Sequence, residues 1–73
     1  MVDEGQIFEK IRKNIIKYRL KRKLSQEGLA YKMDPPKDRQ YIQRIEGGGT
    51  APTLKTLIKL ANALEVDLND LLK

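Results

Sequence analysis

The sequence predicts a small all-α domain of five helices with no strand. Apolar residues recur three and four positions apart along successive stretches, which is the period of an amphipathic helix. Each stretch follows an Asp, Ser or Thr that can cap a helix N-terminus, and proline or glycine clusters separate several of them. A chain of 73 residues has room for a single thin core. We therefore expect one domain spanning residues 1–73.

The first helix is predicted from Glu4 to Arg22, with Asp3 as its N-cap. Five apolar residues share one face at helical spacing and are expected in the core: Ile7, Phe8, Ile11, Ile15 and Tyr18. A smaller apolar patch lies on another side, at Ile16 and Leu20. Lysines and arginines surround both patches, so this helix is amphipathic and strongly basic.

A second, short helix is predicted over Gln26–Met33, with Ser25 as its cap and Leu29, Ala30 and Met33 facing inward. Asp34-Pro35-Pro36 ends it, because a residue before proline avoids helical geometry and proline lacks the backbone donor. A third helix starts at the Asp38 cap or at Pro36 and ends at Glu46. Gly47-Gly48-Gly49 terminates it, which places a helix, a turn and a helix at about 25–46.

Two helices complete the chain. Thr53 caps the fourth, whose core-facing stripe is predicted as Leu54, Leu57, Ile58, Ala61 and Leu64. Lys55, Lys59 and Asn62 of this helix face outward. Asp67 caps the last short helix, which carries Leu68, Leu71 and Leu72.

The third helix has one polar face. At about 100° per residue, four side chains fall within roughly 140° of one another: Arg39, Gln40, Gln43 and Arg44. Tyr41, Ile42 and Ile45 take the opposite side. Arginine can donate two hydrogen bonds to guanine, and glutamine can pair two-fold with adenine. The face suits the major groove of DNA, although the wheel alone is equally compatible with ordinary solvated side chains.

The composition narrows the classes of function. The chain has neither cysteine nor histidine, so we expect no disulfide, metal site or cofactor, and no small-molecule ligand is evident. No nucleophile has a partner at catalytic spacing, which argues against an enzyme. A net charge of +5 favours a polyanionic partner. With no signal-peptide or membrane-helix pattern, we expect a cytoplasmic protein that does not bind a membrane.

Several strings in the sequence resemble the phage-repressor, Xre/Cro-like helix-turn-helix family. The resemblance covers roughly Ile11 to Leu72, with motifs in the family's order, and rests on Leu24-Ser25-Gln26-Glu27-Gly28-Leu29-Ala30, Tyr41-Ile42-Gln43-Arg44-Ile45-Glu46-Gly47 and Pro52-Thr53-Leu54-Lys55-Thr56-Leu57. Tyr31-Lys32 and Asp38-Arg39-Gln40-Tyr41-Ile42 are also similar to the controller proteins of restriction–modification systems. The fold implied is a compact lambda-repressor-like DNA-binding domain.

The resemblance also implies roles for individual residues. Base reading falls to Arg39, Gln40 and Arg44, with Gln43 beside them, and Gln26 contacts a DNA phosphate. Tyr41 either contacts a phosphate or packs in the core. Arg19 and Glu46 match a family pair that braces the first helix against the third.

Two departures from the family pattern affect these roles. The turn Met33-Asp34-Pro35-Pro36-Lys37 is one residue longer than usual, so the register of the base contacts can shift. The loop Gly47–Ala51 carries no basic residue where relatives bind phosphate. Backbone donors of the loop, the Thr50 hydroxyl or Lys55 are the candidates to replace it.

The leading interpretation is a sequence-specific regulator of transcription, of repressor or controller type, that binds double-stranded DNA as a homodimer. Candidate residues for self-association are Ile16, Leu20, Val66, Leu68, Leu71 and Leu72, which otherwise close the monomer core. One alternative is a protein-interaction module such as an antitoxin or a partner-binding regulator. Another is an architectural nucleic-acid binder with no sequence preference.

Overall fold

In a computed structural model that describes residues 3–73, the chain forms five helices and no strand. The helices are α1 (Glu4–Lys21), α2 (Gln26–Lys32), α3 (Arg39–Glu46), α4 (Leu54–Leu64) and α5 (Leu68–Leu72). The predicted all-α class and the number and order of the helices are therefore confirmed. Residues 1 and 2, which the predicted domain includes, lie outside the described part of the chain.

Side chains at the predicted caps hold the helix N-termini. The carboxylates of Asp3 and Asp38 accept hydrogen bonds from backbone N–H groups three residues on, at 3.3 and 3.0 Å. The hydroxyls of Ser25 and Thr53 do the same, at 2.9 and 3.2 Å. Each such bond satisfies one of the donors that a helix start leaves without a partner. The sequence places the starts correctly, whereas α1 and α2 end one residue earlier than predicted.

The core is built from all five helices. Within residues 3–73, the buried side chains of this core are Ile11, Ile15, Leu29, Ala30, Met33, Ile42, Ile45, Leu57, Leu60, Ala61, Ala63, Leu64 and Leu71. Phe8 and Tyr18 of α1 pack against this cluster. The first helix is also tied to the C-terminal part by the Asn14 side chain, which donates to the Leu71 carbonyl at 2.9 Å. Burial of this kind is the main stabilising contribution in so small a domain.

The predicted stripe of α4 is confirmed for Leu57, Ala61 and Leu64, which are buried, and is wrong for its other two residues. Leu54 is 62% exposed and Ile58 44% exposed, whereas Leu60 and Ala63 are buried. At 100° per residue, the buried face is rotated by roughly 70° from the predicted one. Apolar residues occupy most of the circumference of α4, so its periodicity alone does not select the face that meets the core. Ile7 of α1 and Leu72 of α5 are likewise exposed, at 40% and 44%.

The turn between α2 and α3 covers residues 33–38. The Ala30 carbonyl accepts hydrogen bonds from the backbone N–H groups of Met33 and Lys37, at 3.2 and 2.9 Å. These two bonds fold the proline segment back onto the end of α2. The Asp38 cap then starts α3, with its inner side packed on α2 and its outer side free.

Candidate nucleic-acid interface

The two sides of α3 have opposite environments. Ile42 is completely buried and Ile45 is 2% exposed, so this side of the helix is held in the core. On the other side, the four residues predicted to read bases are all exposed: Arg39, Gln40, Gln43 and Arg44. The wheel derived from the sequence therefore matches the observed orientation of the helix.

The four outward side chains have no partner within residues 3–73. No side-chain hydrogen bond or ion pair among the described residues involves any of them. Arginine contributes five N–H donors in a planar fork, and glutamine contributes two donors and an acceptor. The face thus presents a dense set of free hydrogen-bonding groups on a rigid backbone.

Tyr41 lies at the edge of this face. Its side chain is half-buried and packs against the core, and Lys37 Nζ lies 5.3 Å from the centre of its ring. The packing alternative for Tyr41 is therefore present in the structure. Tyr41 also lines a groove of about 270 Å³ between α3 and the start of α4, together with Arg44, Thr50 and Thr53.

A network of hydrogen bonds centred on Glu46 joins three helices. Arg19 of α1 reaches Glu46 with two nitrogens, Nε to Oε2 at 2.7 Å and Nη2 to Oε1 at 3.2 Å. Arg19 Nη1 also donates to the Leu24 carbonyl at 2.9 Å. The two side chains are only 13% and 5% exposed. A planar guanidinium in this fork geometry fixes angle as well as distance, so α1 and α3 are held in one relative orientation.

Gln26 belongs to the same network, and this bond to Glu46 was not predicted from the sequence. Its side-chain nitrogen donates to Glu46 Oε1 at 3.0 Å. One hydrogen of that amide is thereby used inside the protein, and the second stays available. The residue was predicted only as a phosphate contact. A polar residue at the first position of α2 carries no local signal that its partner lies twenty residues further on.

The glycine loop after α3 uses its backbone donors internally. The N–H groups of Gly47, Gly48 and Gly49 donate to carbonyls of the last turn of α3, at 2.8, 3.3 and 2.9 Å. Gly48 has a φ of 81°, a conformation that favours glycine. The suggestion that loop backbone donors replace a basic residue is therefore wrong for these three positions. Thr50 and Lys55, the other two candidates, are both exposed.

Among residues 3–73, no three His, Cys, Asp or Glu side chains lie together as a metal-binding group. None of the helices in that range combines the length and apolar character needed to cross a membrane.

One comparison with known proteins agrees with the fold. A family model described as Helix-turn-helix matches residues 15–71, well over half of the chain. The chain belongs to this family, the Xre/Cro-like helix-turn-helix group, and is a DNA-binding regulator of transcription. Neither the curated proteins nor the solved structures gave a significant match.

Proposed function

We propose that the protein is a sequence-specific repressor or controller that binds double-stranded DNA as a dimer, with α3 in the major groove. The observation that supports this most directly is the outer face of α3. Four exposed side chains without protein partners lie on a helix whose inner side is locked into the core. The major groove is about 12 Å wide and admits one α-helix with its side chains.

The chemistry of the face suits base recognition. Arg39 and Arg44 supply forked donors for guanine O6 and N7, and Gln40 and Gln43 supply amides for adenine N6 and N7. Each such two-fold contact discriminates against the wrong base by about 1–3 kcal/mol. The one carboxylate of α3, Glu46, is paired with Arg19 and turned away from solvent. No negative charge of the helix therefore opposes the DNA.

Contacts with the DNA backbone are assigned to four residues around this face: Gln26, Tyr41, Thr50 and Lys55. Lys55 is exposed at the start of α4 and Thr50 is exposed in the loop before it. Gln26 keeps one amide hydrogen for a phosphate while it donates the other to Glu46. Such contacts position a protein on DNA without reading its sequence.

Dimerisation follows from the small size of one reading helix. An eight-residue helix touches only a few base pairs, and two copies on adjacent half-sites bind more tightly and more selectively. Leu20 and Leu72 are 61% and 44% exposed, which supports an apolar contact between subunits. Leu71, also named as a candidate from the sequence, is completely buried and belongs to the monomer core.

In vitro selection from randomised duplex DNA tests the proposal as a whole. We expect a palindromic consensus whose half-sites lie about one helical turn apart, because the two reading helices of a dimer are related by a two-fold axis. Enrichment of a single, non-repeated motif would reject the dimer but keep the specificity. No enrichment over the starting pool would reject sequence-specific binding.

Variants at single residues test the assignment of roles. Arg44→Ala and Gln40→Ala should weaken binding to the selected site far more than binding to random DNA. Lys55→Ala should weaken both by a similar factor, because phosphate contacts are independent of sequence. Equal losses on both DNAs for all three variants, measured by titration at one salt concentration, would contradict the base-reading assignment.

A protein-interaction module is the second candidate, and one observation favours it. Leu54 and Ile58, one turn apart on α4, form an exposed apolar strip that the monomer leaves uncovered. Affinity capture that recovers a stoichiometric protein partner, together with loss of that partner in a Leu54→Ser variant, would support this role. Retention of a selected DNA site at physiological salt, with no protein recovered, would argue for the DNA-binding role alone.

A further inference from the structure

The loop that follows α3 lies beside the proposed reading helix but supplies no cation and few free donors. It contains no lysine or arginine from Gly47 to Thr53. The N–H groups of its three glycines are already bonded to α3 carbonyls. A helix seated in the major groove brings its flanking segments against the sugar–phosphate strands that border the groove. A phosphate meeting this loop therefore needs a positive charge from elsewhere in the fold.

Arg12 of α1 lies across this loop. A Cβ atom built on Gly48 would lie 3.3 Å from Arg12 Cζ and 3.4 Å from its Nε, so the guanidinium borders the space that a side chain at this position would occupy. The left-handed backbone at Gly48, with φ at 81°, and its missing side chain make this close approach possible. The arginine is thus held next to the loop although the two are 36 positions apart in the sequence.

The guanidinium of Arg12 has no bonding partner among the described residues. Within residues 3–73 its side chain makes no hydrogen bond or ion pair, unlike Arg19 and Arg22, which bond to Glu46 and to the Leu64 carbonyl. Arg12 is half-buried and lines a groove with Gly48 and Thr50. Glu4 lines the same groove, but it forms no ion pair with Arg12.

Arg12 and Arg44 line two grooves that share one short segment. Thr50, Ala51 and Pro52 line both the groove that contains Arg12 and the groove that contains Arg44. The segment thus borders two grooves that each contain a guanidinium group with free donors, and the exposed Thr50 lines both of them. Charge-assisted bonds from arginine to phosphate are short, forked and stronger than neutral ones.

We propose that Arg12 is a phosphate-binding residue, which supplies from α1 the positive charge that the loop after α3 lacks. The inference rests on the proposed function, since it assumes that α3 enters the major groove. It deepens that function by naming the residue that holds the DNA strand beside the loop. The ligand is a backbone phosphodiester, so the contact is independent of base sequence.

The decisive measurement is the salt dependence of DNA binding for Arg12→Gln, Arg12→Lys and Lys13→Gln. Lys13 is the matched control, because it removes one charge from the next position of α1 and its side chain is 74% exposed beside Glu9. Each phosphate contact contributes about 0.9 to the slope of log K against log salt. The variant dimer loses one phosphate contact in each half-site, so we expect Arg12→Gln to lower the slope by about 1.8. Binding to selected and random DNA should weaken alike, by about tenfold or more. Arg12→Lys should keep the wild-type slope.

A scan with single neutral methylphosphonates locates the contact on the DNA. We expect one position per half-site at which the substitution weakens the wild-type protein and Lys13→Gln but leaves Arg12→Gln unaffected. Circular dichroism at the assay temperature checks that each variant is folded. Arg12→Met, which keeps the apolar stem over Gly48, replaces Arg12→Gln if the latter is unfolded.

The outcomes separate this inference from the function beneath it. Equal slopes for Arg12→Gln and Lys13→Gln, with wild-type protein still bound to its selected site, would overturn the role of Arg12 alone. A methylphosphonate scan in which Arg12→Gln stays sensitive at every wild-type position would do the same. Absence of DNA binding by the wild-type protein at low salt would overturn the proposed function together with this inference.

Discussion

The inner and outer sides of α3 differ in burial and in hydrogen bonding, although both belong to one eight-residue helix. The inner side consists of the buried Ile42 and Ile45 and of Glu46, whose carboxylate is bonded to Arg19 and Gln26. The outer side consists of long polar side chains with no partner within residues 3–73. The inner side is bonded and packed within the protein, whereas the side chains of the outer side are free to bind a ligand.

The difference shows how a small domain separates stability from recognition. Substitutions on the inner side remove packing or leave a buried charge without its partner, and those effects reach several kcal/mol. Substitutions at exposed positions usually change stability by less than about 0.5 kcal/mol. The outer side can therefore vary in sequence while the fold is kept, and under the proposed function the recognised DNA site would vary with it.

The largest effect on stability is expected for Glu46→Ala. The Arg19 side chain is only 13% exposed in the wild-type structure, and this change leaves its guanidinium without the Glu46 carboxylate. Removal of one partner of a buried ion pair costs about 3–5 kcal/mol of the free energy of unfolding. Urea denaturation followed by circular dichroism measures the change.

The exposed pair Lys13–Glu9 is the control for Glu46. Its side chains are 74% and 55% exposed, so Glu9→Ala should cost less than about 1 kcal/mol. An Arg19→Met, Glu46→Leu double variant should recover part of the loss, because no unpaired charge remains buried. A loss for Glu46→Ala as small as that for Glu9→Ala would contradict the bracing role.

Neighbouring residues on α3 provide the next test. Ile42 is fully buried and Gln43 is exposed, so alanine at the two positions probes the two sides of one turn. We expect Ile42→Ala to lower the free energy of unfolding by about 2–5 kcal/mol, through lost burial and a residual cavity. Gln43→Ala should change it by less than about 0.5 kcal/mol. Comparable losses in thermal melts of the two variants would be inconsistent with the orientation of α3.

The end of α3 is a test of intermediate size. Gly48→Ala places a side chain at a φ of 81° and close to the Arg12 guanidinium, so we expect a loss of about 1–2 kcal/mol. Gly49→Ala is the control, since that residue has no positive φ and the nearest atom to its built Cβ is 3.6 Å away. A smaller loss at Gly48 than at Gly49 in chemical denaturation would show that the loop does not need this conformation.

The smallest effect on stability is expected at the first residue of α3. Arg39→Ala removes an exposed side chain without a partner in residues 3–73, so the free energy of unfolding should stay within about 0.5 kcal/mol of wild type. The same variant should lose discrimination between the selected DNA site and random DNA. A stability loss above 1 kcal/mol would assign Arg39 to the fold instead of the interface.

Much of the fold was predictable because its signals are local. Asp3, Ser25, Asp38 and Thr53 each cap a helix through a backbone N–H three residues away, so a short window of sequence is sufficient to place the start. The outer face of α3 was predictable for a similar reason. Its apolar residues occupy one narrow arc, and the polar arc opposite is then fixed by the helical period.

What the sequence by itself determined is therefore the five helices, their starts and the outward face of α3. The tertiary structure alone decided the buried face of α4, the hydrogen bond from Gln26 to Glu46 and the placement of Arg12 over Gly48. Each of these depends on where a distant helix lies. The broad apolar face of α4 fits more than one neighbour, and a free donor on α1 has no local partner. These contacts are determined only when the helices pack together, because packing is a property of the whole core and not of any one segment.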